Sequence, residues 1–331
     1  MIIAVDAAGG EYAPREIVKG AIKAVEEYKV DVALVGKKTI LQMLARRHLR
    51  KPGLTIIEAN QIIEPCEPPI KAVRSKLDSS IVVGINLVKD GTASAFVSAG
   101  NTGAIMGAAL LNLGRIEGVD CSAIGSFINI APSAPTLLID AGANVDCRPK
   151  HLVWFAHLGS VYVREILGIS SPRVGLLNNG EEETKGNRLA QESHQLLKKT
   201  NLNFIGNVEC QDILKNTADV IVTDGFTGNI VLKTMEGMSD DWLYSLGQVG
   251  QIFSKAYQLP VRVLHRDIGM DSWAKRLDYQ EYGGACLLGV KGNVIIAHGR
   301  SRAKAIKNAI GLAKKTAERG ISQKIKEESN D

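Results

Sequence analysis

Short apolar strands alternate with helical runs along almost the whole of this chain, and that alternation restricts its fold more than any single motif. Ile2-Ile3-Ala4-Val5 reads as a strand of the buried, parallel type and breaks at Asp6-Ala7-Ala8-Gly9-Gly10. Pro14 suits the first turn of the next helix, where its missing N–H costs nothing, and Ile17, Ala21, Val25 and Tyr28 fall on one helical face. A second strand, Asp31 to Val35, ends at Gly36 and completes a βαβ unit. Further strand-like runs are Leu54 to Ile57, Ile124 to Ile130, Thr136 to Ile139, Val174 to Leu177, Val220 to Val222 and Val294 to Ile296. Helical runs lie between most of them. The pattern predicts an α/β fold, a mostly parallel sheet with helices on both faces and ligands at the carboxyl ends of its strands. Asp6, Asn101, Asp140, Asn178, Asp224 and His298 stand at those ends.

One local design occurs twice. Ser94 to Val97 runs into Ser98-Ala99-Gly100-Asn101-Thr102-Gly103 and a small-residue helix, and Asp219 to Val222 runs into Thr223-Asp224-Gly225-Phe226-Thr227-Gly228-Asn229 and another. Free backbone amides and the positive end of a helix meet at such a turn and favour an anion by roughly 0.3–1 kcal/mol per end. Two such turns point to a site that handles phosphate or a developing oxyanion.

The chain has 331 residues, of which 45% are hydrophobic, enough to bury a full core in one large domain or two smaller ones. No apolar run approaches the roughly 20 residues that span a bilayer, and the chain opens on a strand and not on a charged leader, so a cytoplasmic protein is expected. Cys66, Cys121, Cys147, Cys210 and Cys286 are scattered and match no metal or redox spacing, which favours free thiols and no metal. The net charge of +5 is modest, but basic residues cluster at Lys37-Lys38, from Arg46 to Lys51 and from Arg300 to Arg319, as an acidic partner would require. Residues 237–276 hold Trp242, Tyr244, Phe253, Tyr257 and Trp273 and read as a projecting helical arm, which meets a second subunit, anionic lipid, or both. Residues 324–331 read as a frayed tail.

Four further segments carry polar chemistry. The two glycines of Asp6 to Gly10 permit close approach of a bound group, yet the segment fits neither G-x-G-x-x-G nor a P-loop and also suits an ordinary tight turn. Arg74, Lys76, Ser79 and Ser80 gather ahead of an apolar helix, as a phosphate grip or as a solvated turn with a serine cap. In Asn178 to Asn187 the three glutamates diverge, and Lys185 is the cation that would hold phosphate or a substrate oxygen. His298, followed by Gly299, is either a structural histidine or a proton carrier.

Taken together these segments resemble the bacterial phosphate acyltransferase (PlsX) family. The residues that carry the resemblance are Val5 to Gly10 with Ala13-Pro14, Arg74 to Ser80, Ser98 to Gly103, Asp140-Ala141-Gly142-Ala143-Asn144, Gly175 to Gly186, Asp219 to Asn229, Asp278 to Gly284, Leu287 to Val290 and His298-Gly299. The resemblance implies a fold similar to isocitrate and isopropylmalate dehydrogenases and to phosphate acetyltransferase. It also implies transfer of a long fatty acyl chain from acyl carrier protein to inorganic phosphate, without metal or nucleotide. A homodimer is implied as well, acting at the inner membrane surface beside the glycerol-3-phosphate acyltransferase that consumes the acyl phosphate. No nucleic acid is expected.

Phosphate is already a nucleophile and a thioester is already activated, so the protein need only position both and stabilise an oxyanion. Asn101, Thr102, Lys185, Asn229 and His298 are the expected catalytic set. The expected substrate and phosphate contacts are Asp6, Gly9, Gly10, Arg74, Lys76, Ser79, Ser80, Gly103, Asp140, Asn144, Asn178, Asp224, Gly225, Thr227 and Gly228. The competing readings are a short-chain acyltransferase using coenzyme A, a metal-dependent hydroxyacid dehydrogenase, and a scaffold for lipid synthesis without turnover.

Overall fold

A computed structural model describes residues 1–50, 52–128, 135–238 and 283–329. Its strands are β1 (Ile2–Asp6), β2 (Asp31–Gly36), β3 (Leu54–Glu58), β4 (Ala95–Ser98), β5 (Ala123–Ile128), β6 (Thr136–Ile139), β7 (Val174–Leu177), β8 (Phe204–Val208), β9 (Val220–Val222), β10 (Ala285–Leu288) and β11 (Val294–Ile296). All belong to one sheet, in the order β3-β2-β1-β4-β11-β10-β5-β6-β9-β7-β8. The helices are α1 (Arg15–Tyr28), α2 (Lys38–Ala45), α3 (Pro69–Ser75), α4 (Ser80–Lys89), α5 (Thr102–Ala108, continued by a π turn over Ala109–Leu113), α6 (Pro149–Leu167), α7 (Arg188–Leu197), α8 (225–238), α9 (Ala303–Glu318) and α10 (Ile321–Ser329).

The expected parallel sheet is present, with a seam. Strands β3, β2, β1, β4 and β11 are mutually parallel, and so are β6, β9, β7 and β8. Between them β10 and β5 are antiparallel to each other and to their outer neighbours, so the two parallel halves run in opposite directions. Polar turns after β1, β4 and β11 therefore share one edge of the sheet, and those after β6, β7 and β9 share the other.

Strand β4 shows how two covered faces follow from its sequence. Ala95 and Val97 enter the larger core with Phe155 and Tyr162 of α6, while Phe96 enters the second core with Ile81 of α4 and Ile105 of α5. All of its residues are buried, which is why it reads as a continuous apolar run.

The carboxyl-terminal tail departs from expectation. Residues 321–329 form α10, because Ile321 and Ile325, four apart on a helix, are both buried in the larger core. Ser329 Oγ donates to Glu117 O, and Glu328 pairs with Arg164 of α6. The strand expected over Ile124 to Ile130 is observed to Ile128, and residues 129–130 lie outside the described residues. Of the arm expected over 237–276, residues 239–276 lie outside the described residues.

Candidate active site

A cleft of about 770 Å³ crosses one face of the sheet over the antiparallel seam. Ile124 and Ser126 of β5, Ala285 of β10 and Ile296 of β11 form its floor. The turns after β1, β4 and β11 close one end, and the segment Ile62 to Pro65 covers part of it. Asn229, Leu232, Lys233 and Glu236 of α8 line its side, on one helical face by their spacing. Such a volume is in the range of small-molecule sites, and its apolar walls leave room for more than a phosphate.

The end wall is held together by Asp6, which is 1% exposed. Its Oδ1 accepts from the amides of Ala8 (2.9 Å) and Gly9 (3.1 Å), and its Oδ2 accepts from Ser98 Oγ at 2.6 Å. Ser98 Oγ in turn accepts from Gly100 N at 3.0 Å. The carboxylate thus ties the turn after β1 to the turn after β4, and neither it nor the Gly9 amide is open to a ligand. Gly10 adopts φ +105°, and its amide has no acceptor among the described residues.

Asn101 caps α5. Its Oδ1 accepts from Ala104 N at 3.1 Å, and its Nδ2 donates to the carbonyls of Glu64 and Pro65, clamping the covering segment. That cap leaves the amides of Thr102 and Gly103 without acceptors among the described residues, on a helix end that opens into the cleft. The first of the doubled turns therefore has the geometry expected of an anion site.

The second does not. Asp224 accepts from Thr227 N (2.9 Å) and Thr227 Oγ1 (2.8 Å), so a carboxylate of the chain already occupies the α8 amino end. A Cβ at Gly228 would stand 1.9 Å from Asp140 O, which shows how tightly α8 abuts the turn after β6. Asp140 is fully buried and accepts from the amides of Ile124, Gly142, Ala143 and Asn144 and from Asn144 Nδ2. Burial pushes its carboxyl up, against the pull of those donors. Asn144 Nδ2 also donates to Ser122 O, and Gly225 N donates to Asn144 O. The polar atoms of this corner are spent on the fold. What α8 brings to the cleft is its side: Asn229, half-buried beside Gly142, has a carboxamide without a hydrogen bond among the described residues.

The cations expected at the phosphate lie elsewhere. Lys185 is half exposed in the loop after β7, 4.0 Å from Glu182, and Asn178 Nδ2 donates to its carbonyl. Arg74 is exposed at the end of α3 and does not line the cleft. Lys76 reaches Glu67 (2.5 Å) and Ile62 O (2.7 Å), bracing the covering segment from outside. Ser79 caps α4 through Val82 N, and Ser80 is buried behind it, so the serine-cap alternative is the one observed.

His298 lines the cleft as expected. Its Nδ1 accepts from Arg300 N at 3.1 Å, and Nε2 stands 3.2 Å from Glu236 Oε2, which places the ring hydrogen on Nε2 and joins the β11 turn to α8. Lys233, Glu236 and Ser301 are among the cleft residues that the sequence analysis did not select. The spacing Asn229, Lys233, Glu236 held the signal for the first two. Away from the cleft, the carboxylates of Glu181, Glu209 and Asp212 lie within 4.8 Å of one another, with Asp212 already held by Glu209 N and Lys215.

Residues 1–324 match the model of a family described as fatty acid synthesis protein. A phosphate acyltransferase of Dehalococcoides mccartyi is 55% identical over 328 residues, covering 99% of this chain and 94% of the relative. Another, of Dictyoglomus turgidum, is 47% identical over 332 residues, covering 100% and 98%. Among solved structures, a phosphotransacetylase from Streptococcus pyogenes superposes with a TM-score of 0.61 at 17% identity, covering 96% of this chain and 94% of that one. A phosphotransacetylase from Staphylococcus aureus gives 0.58 at 16% identity, covering 98% and 94%. These two likenesses establish a shared fold, as the resemblance implied. With its cleft, its open helix end and its full-length relatives, the chain belongs to the phosphate acyltransferase family.

Proposed function

We propose that this cleft transfers a long fatty acyl group from acyl carrier protein to inorganic phosphate, making an acyl phosphate for phospholipid synthesis. The observation that carries the reading is the meeting, in one cleft, of amides at Gly10, Thr102 and Gly103 that have no acceptor among the described residues with apolar walls from Ile62, Ile63 and Leu232. Phosphate at the Gly10 end attacks the thioester carbon, a P–O–C bond forms, the C–S bond breaks, and the carrier thiolate leaves and takes a proton. The Thr102 and Gly103 amides and the Asn229 carboxamide face the oxyanion that develops between these events. His298, hydrogen-bonded to Glu236, lines the same cleft and passes that proton in concert with the carboxylate. Asp6, Asn101, Asp140, Asn144 and Asp224 act through the main chain they hold, and Thr227 through the Asp224 carboxylate, as positioning residues.

The residues 1–331 act as one domain in this reading, and the working form is a homodimer. Phe226, Ile230 and Met238 are 58%, 50% and 57% exposed along α8, an apolar row that supports contact with a second copy. The basic runs near Arg46 and along α9 suit the acidic carrier protein. Peripheral contact with the membrane, beside the glycerol-3-phosphate acyltransferase, rests on family kinship. No helix among the described residues is long and apolar enough to cross a membrane. Purified protein given palmitoyl carrier protein and millimolar phosphate should yield acyl phosphate, and faster than with palmitoyl coenzyme A. No product from the carrier-bound donor would sink the reading, and preference for a short-chain coenzyme A thioester would replace it.

A further inference from the structure

We infer that Ser301 and the amino end of α9 form the inorganic-phosphate subsite of the cleft. The inference rests on the acyl-transfer reading above for its choice of anion. Ser301 is 2% exposed, lines the cleft, and its Oγ has no hydrogen-bond partner among the described residues. A buried hydroxyl is destabilising unless something pairs with it.

The surroundings identify what pairs with it. Ser301 N donates to His298 O at 2.8 Å, which folds residues 298–301 into the turn that launches α9. At that helix end Ala303 N donates to Glu16 Oε2 at 3.1 Å, and Ile306 N donates to Arg302 O at 3.0 Å. The amide of Ala305, between them and on the cleft lining, has no acceptor among the described residues. Glu11 N donates to Gly299 O at 2.9 Å and binds this turn to the one carrying the open Gly10 amide. A hydroxyl and two amides, one at the positive end of a 16-residue helix, thus face one end of the cleft. They are donors in need of an acceptor-rich ligand. Phosphate supplies several oxygens at once, whereas a thioester carbonyl supplies one, and that oxygen has the Thr102 and Gly103 amides. The subsite also accounts for phosphate recognition in a cleft that Lys185 and Arg74 do not reach.

Ser301→Ala in the full chain tests this. The Michaelis constant for phosphate should rise about tenfold or more, with turnover at saturating phosphate within about twofold, because a contact to the bound anion is lost uniformly. The thermal midpoint without phosphate should hold or rise, and the stabilisation that phosphate gives the parent protein over matched chloride should shrink. Ser301→Cys, with similar volume and a weak donor, should fall between. The inference is overturned by an unchanged phosphate constant, by equal phosphate stabilisation in parent and variant, by a parent that phosphate does not stabilise, or by a variant that unfolds without phosphate. Binding is read without an acyl donor. Loss of phosphate stabilisation in Ser301→Ala, in a protein inactive toward acyl carrier protein, would keep the subsite and discard the donor.

Discussion

Replacing Asp6 by Asn separates a ligand contact from a tie between two turns, because the two roles break in opposite ways. The carboxylate holds the amides of Ala8 and Gly9 with one oxygen and Ser98 Oγ with the other. Asparagine can keep its oxygen on the two amides, as neutral bonds and no longer charge-assisted ones. Its NH2 then faces Ser98 Oγ, which already accepts from Gly100 N, and the serine hydrogen is left without an acceptor at a site 1% exposed. A stranded buried donor costs about 1–3 kcal/mol, and weakening two charged hydrogen bonds adds about 1 kcal/mol, so a loss near 3 kcal/mol is expected. For a chain of this size that lowers the thermal midpoint by about 4 °C. Ser98→Ala removes the stranded hydroxyl, so the double variant should lose less than the sum of the single ones by about 1 kcal/mol. Thermal unfolding followed by circular dichroism gives all four values. A midpoint within about 1 °C of the parent, with a raised phosphate constant, would mean that Asp6 touches ligand and that the tie is unimportant.

Asn229→Ala should cut turnover by roughly a hundredfold while leaving the thermal midpoint nearly unchanged, since the carboxamide makes no hydrogen bond within the described fold. A loss below about threefold would remove it from the oxyanion. In native protein, mass spectrometry after brief alkylation should find Cys66 and Cys210, which are exposed, modified first; Cys147 and Cys286 stay unmodified, their thiols pushed by burial up to about 12. Early labelling of Cys286 would contradict the packing. Burial of Asp219 opposes its ionisation, but the fork of Arg173 (Nη2 to Oδ1, 2.9 Å) and the Arg173 amide hold its carboxyl below the usual range. Stability from this pair is therefore full above the ordinary carboxylate value near about 4 and is lost as pH falls through the lowered folded value. Denaturation midpoints of the parent and Asp219→Asn should converge on acidification below that point, and a constant gap would refute the assignment.

The sheet was legible because burial on both faces leaves its mark on composition. Strand β9 is apolar throughout, and β1 up to Val5 and β4 up to Val97 are as well, each running into a polar turn where one was expected. Strand direction left no such mark. Nothing in Ala123–Ile128 or Ala285–Leu288 distinguishes an antiparallel seam from another parallel pair, so turns at opposite edges looked equivalent. The same blindness affected the site. Asp6, Asp140 and Asp224 have the residue type of ligand contacts, yet each is consumed by nearby amides, and a sequence lists acceptors without showing what they accept. Ser301 was missed for the converse reason, since its hydroxyl matters because nothing among the described residues pairs with it. The tail was misread because two isoleucines, four apart among charged residues, are a short amphipathic signal that only packing onto a formed core makes worthwhile.

The charge along the cleft explains why backbone donors carry so much of the proposed chemistry. Glu11, Glu64 and Glu236 line it with a single lysine, Lys233, among the described residues. A row of cations there would hold phosphate tightly, but it would do so as strongly before the reaction as during it, and would withdraw charge from the oxygen that must attack. Binding of that uniform kind lowers the substrate concentration needed without lowering the barrier. Directional amides and hydroxyls at the ends of α5 and α9 fix phosphate by geometry and leave its nucleophilic oxygen less neutralised, and a second amide pair is then free for the charge that appears on the carbonyl. The antiparallel seam is what permits this division. It brings the side of α8 to a cleft whose helix ends belong to the oppositely directed half of the sheet, so that Asn229 lines the same cleft as Thr102 and Gly103 instead of lying at a separate edge.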